Sequence, residues 1–255
     1  MEKRTVFVTG ADRGLGLEIC RQFLERGFFV FGGQYFNKWT LLDDLQKEYP
    51  DDLVKVTLDI TDEHSVLAAV EEVRKYTDTL DILVNNAGIS GKHGPGTGDI
   101  FDHELDFEEM LRVINVNAIG TLRVMNAFID MIIPSFHKLI GIISSEAGSI
   151  GTCWRYSGFG YCMSKAALNM AGSIVHNRLH REFNGQVMLF NPGGMPSYLG
   201  TTQGPEDEMI TKPLREGFTN AKTSAEGIVR LLLEQEHFKS DHPAYLQYGG
   251  NSIPW

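Results

Sequence analysis

Short runs of β-branched and aromatic residues take turns with longer stretches of helical periodicity along this chain, the pattern expected of repeated βαβ units around a parallel sheet. Seven strand candidates emerge: Thr5–Thr9, Phe28–Gly32, Leu53–Leu58, Ile82–Val84, Leu139–Ser144, Val187–Phe190 and Ala244–Leu246. The helices between them carry matching punctuation. Thr61, followed by Asp62 and Glu63, reads as an N-cap with acids in the first turn, and Val66, Val70 and Val73 mark the stripe this helix buries. Thr223-Ser224-Ala225-Glu226 has capping-box spacing and leads into the apolar run Ile228–Leu233, so another helix is expected to start there. The expected class is α/β, with no internal repeat and no low-complexity linker.

The charge balance narrows the partners. Of 255 residues, 23 are Lys or Arg and 33 are Asp or Glu, so the net charge is 23 − 33 = −10, against the clustered positive charge of a nucleic-acid binder. With 42% hydrophobic and 22% charged residues, one large core or two small ones can be buried. Apolar runs such as Leu139-Ile140-Gly141-Ile142-Ile143 fall far short of the roughly 20 residues that cross a bilayer. After Met1-Glu2-Lys3-Arg4 comes one short strand and then Gly10-Ala11-Asp12-Arg13, unlike a secretory leader, and a cytoplasmic protein is expected. Cys20, Cys153 and Cys162 form neither a disulfide framework nor a zinc pattern, and are expected to be reduced and mostly buried.

Two segments break the alternation, residues 89–103 with a cluster of glycines and residues 191–222, rich in Gly, Pro and Thr. Both exceed ordinary connectors, and loops of this kind usually overhang the carboxyl ends of the strands, where ligands bind. The plain alternative is tolerated surface insertion.

Thr9-Gly10-Ala11-Asp12-Arg13-Gly14-Leu15-Gly16 follows the first strand and opens a helix carrying Ile19, Phe23 and Leu24. Glycines there permit a tight turn and let backbone N–H groups at a helix N-terminus approach a pyrophosphate. Tyr161 and Lys165, four apart, share one face of a helix. A nearby cation would help a phenol with a pKa of about 10 exchange protons at neutral pH. Taken alone, either feature is more often structural.

Taken together and in order, these segments resemble the short-chain dehydrogenase/reductase family in its compact single-domain form. The glycines are spaced G-x-x-x-G-x-G, Asn85-Asn86-Ala87-Gly88 follows the fourth strand, Asn117 stands in Asn117-Ala118-Ile119-Gly120, Ser144-Ser145-Glu146-Ala147-Gly148 follows the fifth strand, and Tyr161-Cys162-Met163-Ser164-Lys165 supplies Y-x-x-x-K. The tail Tyr248–Trp255 looks like that of the C-factor-like branch of carbonyl reductases. The resemblance implies a doubly wound Rossmann fold over residues 1–255, with substrate loops near 89–103, 148–160 and 191–222. It implies a hydride-transferring oxidoreductase acting on a small carbonyl or alcohol, with Asn117, Ser145, Tyr161 and Lys165 as the catalytic set and Ser144 as backup for Ser145.

The same resemblance implies a nicotinamide cofactor on Gly10, Asp12, Arg13, Gly14, Leu15 and Gly16. Asp59 would meet the adenine, Lys165 would hold the ribose and Ser197 would bond the nicotinamide carboxamide, with Ile60, Asn86, Ala87, Gly88, Tyr161, Pro192, Gly193 and Met195 as further cofactor contacts. Gly33-Gln34-Tyr35-Phe36-Asn37-Lys38 lacks the acid that marks NAD, and Arg13 matches the basic position of NADP-preferring relatives, so NADP(H) is favoured with NAD(H) as the alternative. Against that, Tyr35 stands where such relatives commonly carry a second arginine.

Ser145 and Tyr161 are 16 positions apart, longer than the common spacing, and the intervening loop is read as a pocket wall with Trp154, Tyr156 and Phe159 as candidate contacts, joined by Tyr198. His93 and His103 are read as solvated loop residues. A homodimer or homotetramer paired through the helices of Asn117 and Tyr161 is expected, with no nucleic-acid or membrane partner. The competing reading is a cofactor-binding regulatory or signalling protein with little or no turnover. A nucleotide-sugar epimerase or dehydratase fits less well, because 255 residues hardly house its extra domain.

Overall fold

A computed structural model describes residues 3–36, 38–91, 99–101, 103, 105–196, 199 and 216–255. The seven strand candidates are all present, as β1 (Thr5–Val8), β2 (Phe29–Gln34), β3 (Leu53–Thr57), β4 (Ile82–Asn85), β5 (Leu139–Ile143), β6 (Gln186–Asn191) and β7 (Ala244–Gln247). They form one parallel sheet in the order β3-β2-β1-β4-β5-β6-β7. Every residue of β1, β4, β5 and β6 is buried, as central strands covered on both faces must be.

The helices are α1 (Gly14–Leu24), α2 (Leu41–Glu48), α3 (Glu63–Arg74), α4 (Phe107–Ile114), α5 (Thr121–Ile132), α6 (Phe159–Phe183) and α7 (Ala221–Leu233). Successive residues of one strand feed opposite cores, because side chains alternate along a strand. Val6 and Val8 pack with Ile19 and Phe23 of α1 and Ile228 and Leu232 of α7. Phe7 packs with Val66 and Val70 of α3, Phe128 of α5 and Leu168 of α6, its ring 4.8 Å from that of Phe128.

Two helix starts differ from expectation. The cap of α3 is Asp62, whose carboxylate accepts the His64 N–H at 3.0 Å; Thr61 instead donates its N–H and hydroxyl to the Asp59 carboxylate at 2.8 and 2.7 Å. Likewise α7 begins at Ala221, because Asn220 accepts the Thr223 N–H at 2.8 Å and draws Thr223 into the first turn. The cysteines also depart from expectation: Cys20 is buried, Cys162 half-buried and Cys153 exposed. Strand order reverses between β1 and β4, and their carboxyl ends open the crevice that receives ligands in sheets of this design.

Candidate active site

The turn after β1 is tied to the segment after β4 by one threonine. Thr9 Oγ1 accepts the N–H groups of Asn86 and Ala87, both at 2.9 Å, and Asn86 Nδ2 donates back to the Thr9 and Gly10 carbonyls, both at 3.0 Å. Gly10 and Gly14 adopt φ of +63° and +53°, a region that favours glycine. At Gly16 a Cβ would stand 2.1 Å from the Gly10 carbonyl oxygen, so the chain crosses itself there with no room for a side chain. At Gly14 a Cβ would meet no atom within 4 Å, which leaves an open cradle above the turn. Like α5 and α6, α1 has neither a side-chain cap nor an acid in its first turn. An uncapped helix start beneath an open glycine cradle suits a pyrophosphate.

Asp12 is buried, and its carboxylate accepts the Phe36 N–H at 2.9 Å, fastening this turn to the end of β2. Burial raises its pKa, and the Phe36 hydrogen bond and the Arg13 charge oppose the rise. The Arg13 guanidinium lies 3.6 Å from the centre of the Trp39 ring and 4.9 Å from that of Phe36, the two rings being stacked 5.2 Å apart. It is therefore half-sandwiched at the end of β2, beside the expected ribose position, rather than a solvated surface charge. Trp39 was not among the residues singled out from the sequence; an aromatic pair just past a strand end is the signal that could have found it. Tyr35 projects outward, 58% exposed.

On the adenine side, Asp59 lies two residues past β3 and holds Thr61, while the Ile60 carbonyl accepts Arg123 Nη1 at 2.7 Å and the Ile60 side chain packs on Gly120. Leu15 packs against the first core.

The four residues expected to carry the chemistry come together at the ends of β4 and β5. Asn117 is fully buried in a π-helical turn, Asn115–Gly120, that interrupts the run from α4 into α5. Such a turn commonly marks a functional site. Its Oδ1 accepts the Ile89 N–H at 2.8 Å, and its Nδ2 donates to the Ile89 carbonyl at 2.8 Å and to Ser164 Oγ at 2.9 Å. Gly88 threads between Asn117 and Lys165: a Cβ on it would lie 3.1 Å from Asn117 Oδ1 and 3.8 Å from Lys165 Nζ. Lys165 is buried, donates to the Ile143 carbonyl at 2.9 Å and sits 5.8 Å from the centre of the Tyr161 ring. Burial pushes its ammonium down to about 8.

Ser145 follows β5 and caps the short turn Glu146–Gly148, accepting the Ala147 N–H at 3.2 Å, and its hydroxyl is near enough to Tyr161 to favour the phenolate. Ser144 instead donates to Asn169 Oδ1 at 2.5 Å, away from Tyr161. Burial raises the Tyr161 pKa; the neighbouring Ser145 hydroxyl and the positive charge of Arg155 pull it back. Arg155 was not foreseen either. It pairs with Glu146 at 2.6 Å, lies 4.8 Å from the Trp154 ring centre and belongs to the lengthened loop before α6. In that loop Trp154 and Tyr156 are exposed and Phe159 is half-buried.

Past β6, Pro192 accepts the Ser224 hydroxyl at 2.8 Å through its carbonyl, Gly193 turns at φ +82° against Tyr248, and Met195 is half-buried. Ser197, Tyr198 and His93 lie outside the described residues. His103 is exposed at φ +56°.

Comparison with known proteins agrees with this geometry. The short chain dehydrogenase family model matches residues 4–207. A relative from Bos taurus, "Short-chain dehydrogenase/reductase family 9C member 7", is 28% identical over 211 residues, 82% of this chain and 63% of that protein, so the chain spans less than two thirds of its length. A short-chain dehydrogenase/reductase from Burkholderia multivorans, solved with NADP bound, superposes over all of both chains with a TM-score of 0.82 at 28% identity. An NADPH-bound carbonyl reductase from chicken fatty liver does so with a TM-score of 0.79, also at 28% identity. With the family model covering four fifths of the chain, this protein belongs to the short-chain dehydrogenase/reductase family.

Proposed function

We propose that this chain is an NADP(H)-dependent oxidoreductase that acts on a small carbonyl or alcohol, within one NAD(P)-binding domain over residues 1–255. The observation that carries the reading is the placement of Asn117 and Lys165 on either side of Gly88, with Tyr161 beside Lys165 and Ser145 just past β5, whose Ile143 carbonyl holds Lys165. The structures solved with NADP and NADPH support the cofactor. The N–H groups at the start of α1 would hold the pyrophosphate, Arg13 on its Trp39 platform a ribose 2′-phosphate, and the segments at 86–88 and 192–197 the nicotinamide half. NAD(H), lacking that phosphate, would bind without the help of Arg13. When bound, the cofactor supplies or accepts the hydride.

The rest of the chemistry belongs to the chain. Tyr161 gives its phenolic proton to the substrate oxygen in reduction and takes it back in oxidation. Ser145 donates a hydrogen bond to that oxygen where negative charge builds up. Arg155 favours the phenolate, and Lys165, cationic at neutral pH and 5.8 Å from the Tyr161 ring centre, is placed to add a second positive charge beside the ring. Asn117 holds the Ile89 backbone and Ser164 so that Lys165 stays linked to the π-helical turn. Trp154, Tyr156 and Phe159 form one wall of the substrate pocket.

The acidic chain is assigned to the cytoplasm, and no described helix is long and apolar enough to cross a membrane. Phe107 and Leu111 of α4 and Met170 and Ile174 of α6 expose apolar surface on neighbouring helices, which supports pairing of two copies across this face. NADPH and NADH titrations, followed by cofactor consumption against a panel of aldehydes and ketones, test the reading. Preferential NADPH binding with carbonyl-dependent consumption is expected. Tight binding with no turnover across the panel would favour the regulatory reading instead.

A further inference from the structure

Ser145 stands two residues beyond Ile143, the last paired residue of β5, so the ladder no longer holds its peptide. Its carbonyl accepts the Gly148 N–H at 3.0 Å and also the hydroxyl of Tyr245, 100 residues further along the chain. Tyr245 lies in β7, opposite Leu189 of β6, and its side chain crosses β6 to reach the end of β5. It is 3% exposed, so its hydroxyl needs an acceptor inside the protein. Asn169, Ser144 and Gly148 complete this polar cluster behind the serine: Asn169 accepts from Ser144 at 2.5 Å and donates to the Gly148 carbonyl at 3.2 Å.

Residues 253–255 brace the cluster from outside. The Ile253 N–H donates to the Tyr245 carbonyl at 2.8 Å, and the Trp255 ring packs 5.3 Å from that of Tyr245. The Ser149 hydroxyl donates to the Pro254 carbonyl at 2.6 Å and the Gly151 N–H to the Trp255 carbonyl at 2.7 Å. A Cβ at Gly151 would stand 2.8 Å from that oxygen. Residues 145–151 are thus held at both ends by β7 and the segment that follows it.

We propose that Tyr245 is a positioning residue for Ser145: its hydroxyl fixes the peptide from which the Ser145 side chain reaches the Tyr161 phenol, and Trp255 holds Tyr245 in place. The proposal rests on the reading of Ser145 and Tyr161 as a working pair.

The test uses the full chain labelled with 13C at the hydroxyl-bearing ring carbon of tyrosine, at neutral pH and without substrate. The Tyr161 resonance is assigned by its loss in Tyr161→Phe. Ser145→Ala, which removes the hydroxyl that acts on Tyr161, sets the scale of the displacement. Tyr245→Phe removes one oxygen from a buried ring and is expected to move the Tyr161 resonance in the same direction, at least half as far. NADPH affinity should stay within about twofold of wild type, corresponding to less than about 0.5 kcal/mol. Trp255→Ala keeps the Tyr245 hydroxyl and should give a smaller displacement of the same sign. Should Ser145→Ala move the resonance while Tyr245→Phe and Trp255→Ala leave it at the wild-type position, the proposal is overturned and the pair stands. A resonance unmoved by Ser145→Ala would overturn the pair itself, and the proposal with it.

Discussion

Replacing Arg13 by alanine removes the cation that lies 3.6 Å from the Trp39 ring centre at the end of β2. A guanidinium that meets a phosphate forms charge-assisted hydrogen bonds, and each hydrogen bond to a charged group contributes about 1.5–3 kcal/mol. Because the ring stack already fixes the guanidinium, little ordering entropy is lost on binding, and the upper half of that range applies. NADPH should bind about 30- to 150-fold more weakly to Arg13→Ala, from a loss of about 2–3 kcal/mol. NADH should change by less than about threefold, because it has no phosphate at that position. Trp39→Phe keeps an aromatic face of lower cation affinity and should weaken NADPH by about fivefold, or about 1 kcal/mol. Both affinities can be read from cofactor fluorescence at low and moderate salt, and the NADPH preference should shrink as salt rises. Equal weakening of NADPH and NADH, or no weakening of either, would refute this account of the 2′ position.

Three further outcomes follow from the packing. Gly16→Ala puts a methyl group 2.1 Å from the Gly10 carbonyl oxygen, so it should cost about 3 kcal/mol in urea denaturation and abolish binding of both cofactors. Asn117→Ala strips partners from both backbone groups of Ile89 and from Ser164; a loss of about 3 kcal/mol is expected, with turnover falling further than the remaining folded fraction explains. Lys165 is held near 8 in the fold against an ordinary lysine value of 10.5, so its buried charge costs about 3 kcal/mol at pH 7. Lys165→Met should therefore be inactive yet more stable at pH 7, by about 2 kcal/mol once the lost bond to the Ile143 carbonyl is counted. The sign follows from linkage: the unfolded chain binds the extra proton, so the wild-type penalty is complete below pH 8 and fades as pH rises from 8 to 10.5. Across that window the stability advantage of the mutant should shrink and then reverse, as the penalty fades and the lost bond to the Ile143 carbonyl remains.

Sequence carried the frame of this account because the frame is periodic. Continuous apolar runs such as Leu139–Ile143 and Val187–Phe190 could only be buried strands, and all seven appear within two residues of the expected limits. The glycine turn, Asn117, Ser145 and the Tyr161/Lys165 helix were legible because, taken together and in order, they resemble one family's pattern; none of them was decisive by its spacing alone. What escaped was settled by contacts between distant segments. Arg13 meets Trp39 at the end of β2, Arg155 is fixed by its pairing with Glu146, and Tyr245 finds the Ser145 carbonyl across β6. Helix starts slipped where two caps competed. Asp59 draws Thr61 out of its capping role, leaving it to Asp62, and Asn220 displaces the capping box expected at Thr223. Neither competition shows in a pattern of residue types alone.

Tyr161 moves the proton, while most of the cofactor's binding comes from the glycine turn and Arg13. The direct measurement sets wild type beside Tyr161→Phe, following NADPH consumption with a carbonyl substrate that wild type reduces, and NADPH affinity in the same preparations. General acid catalysis contributes about 10²- to 10⁴-fold, so turnover in Tyr161→Phe should fall at least a hundredfold while NADPH affinity stays within about threefold. Turnover that survives the loss of the phenol at unchanged cofactor affinity would contradict the account.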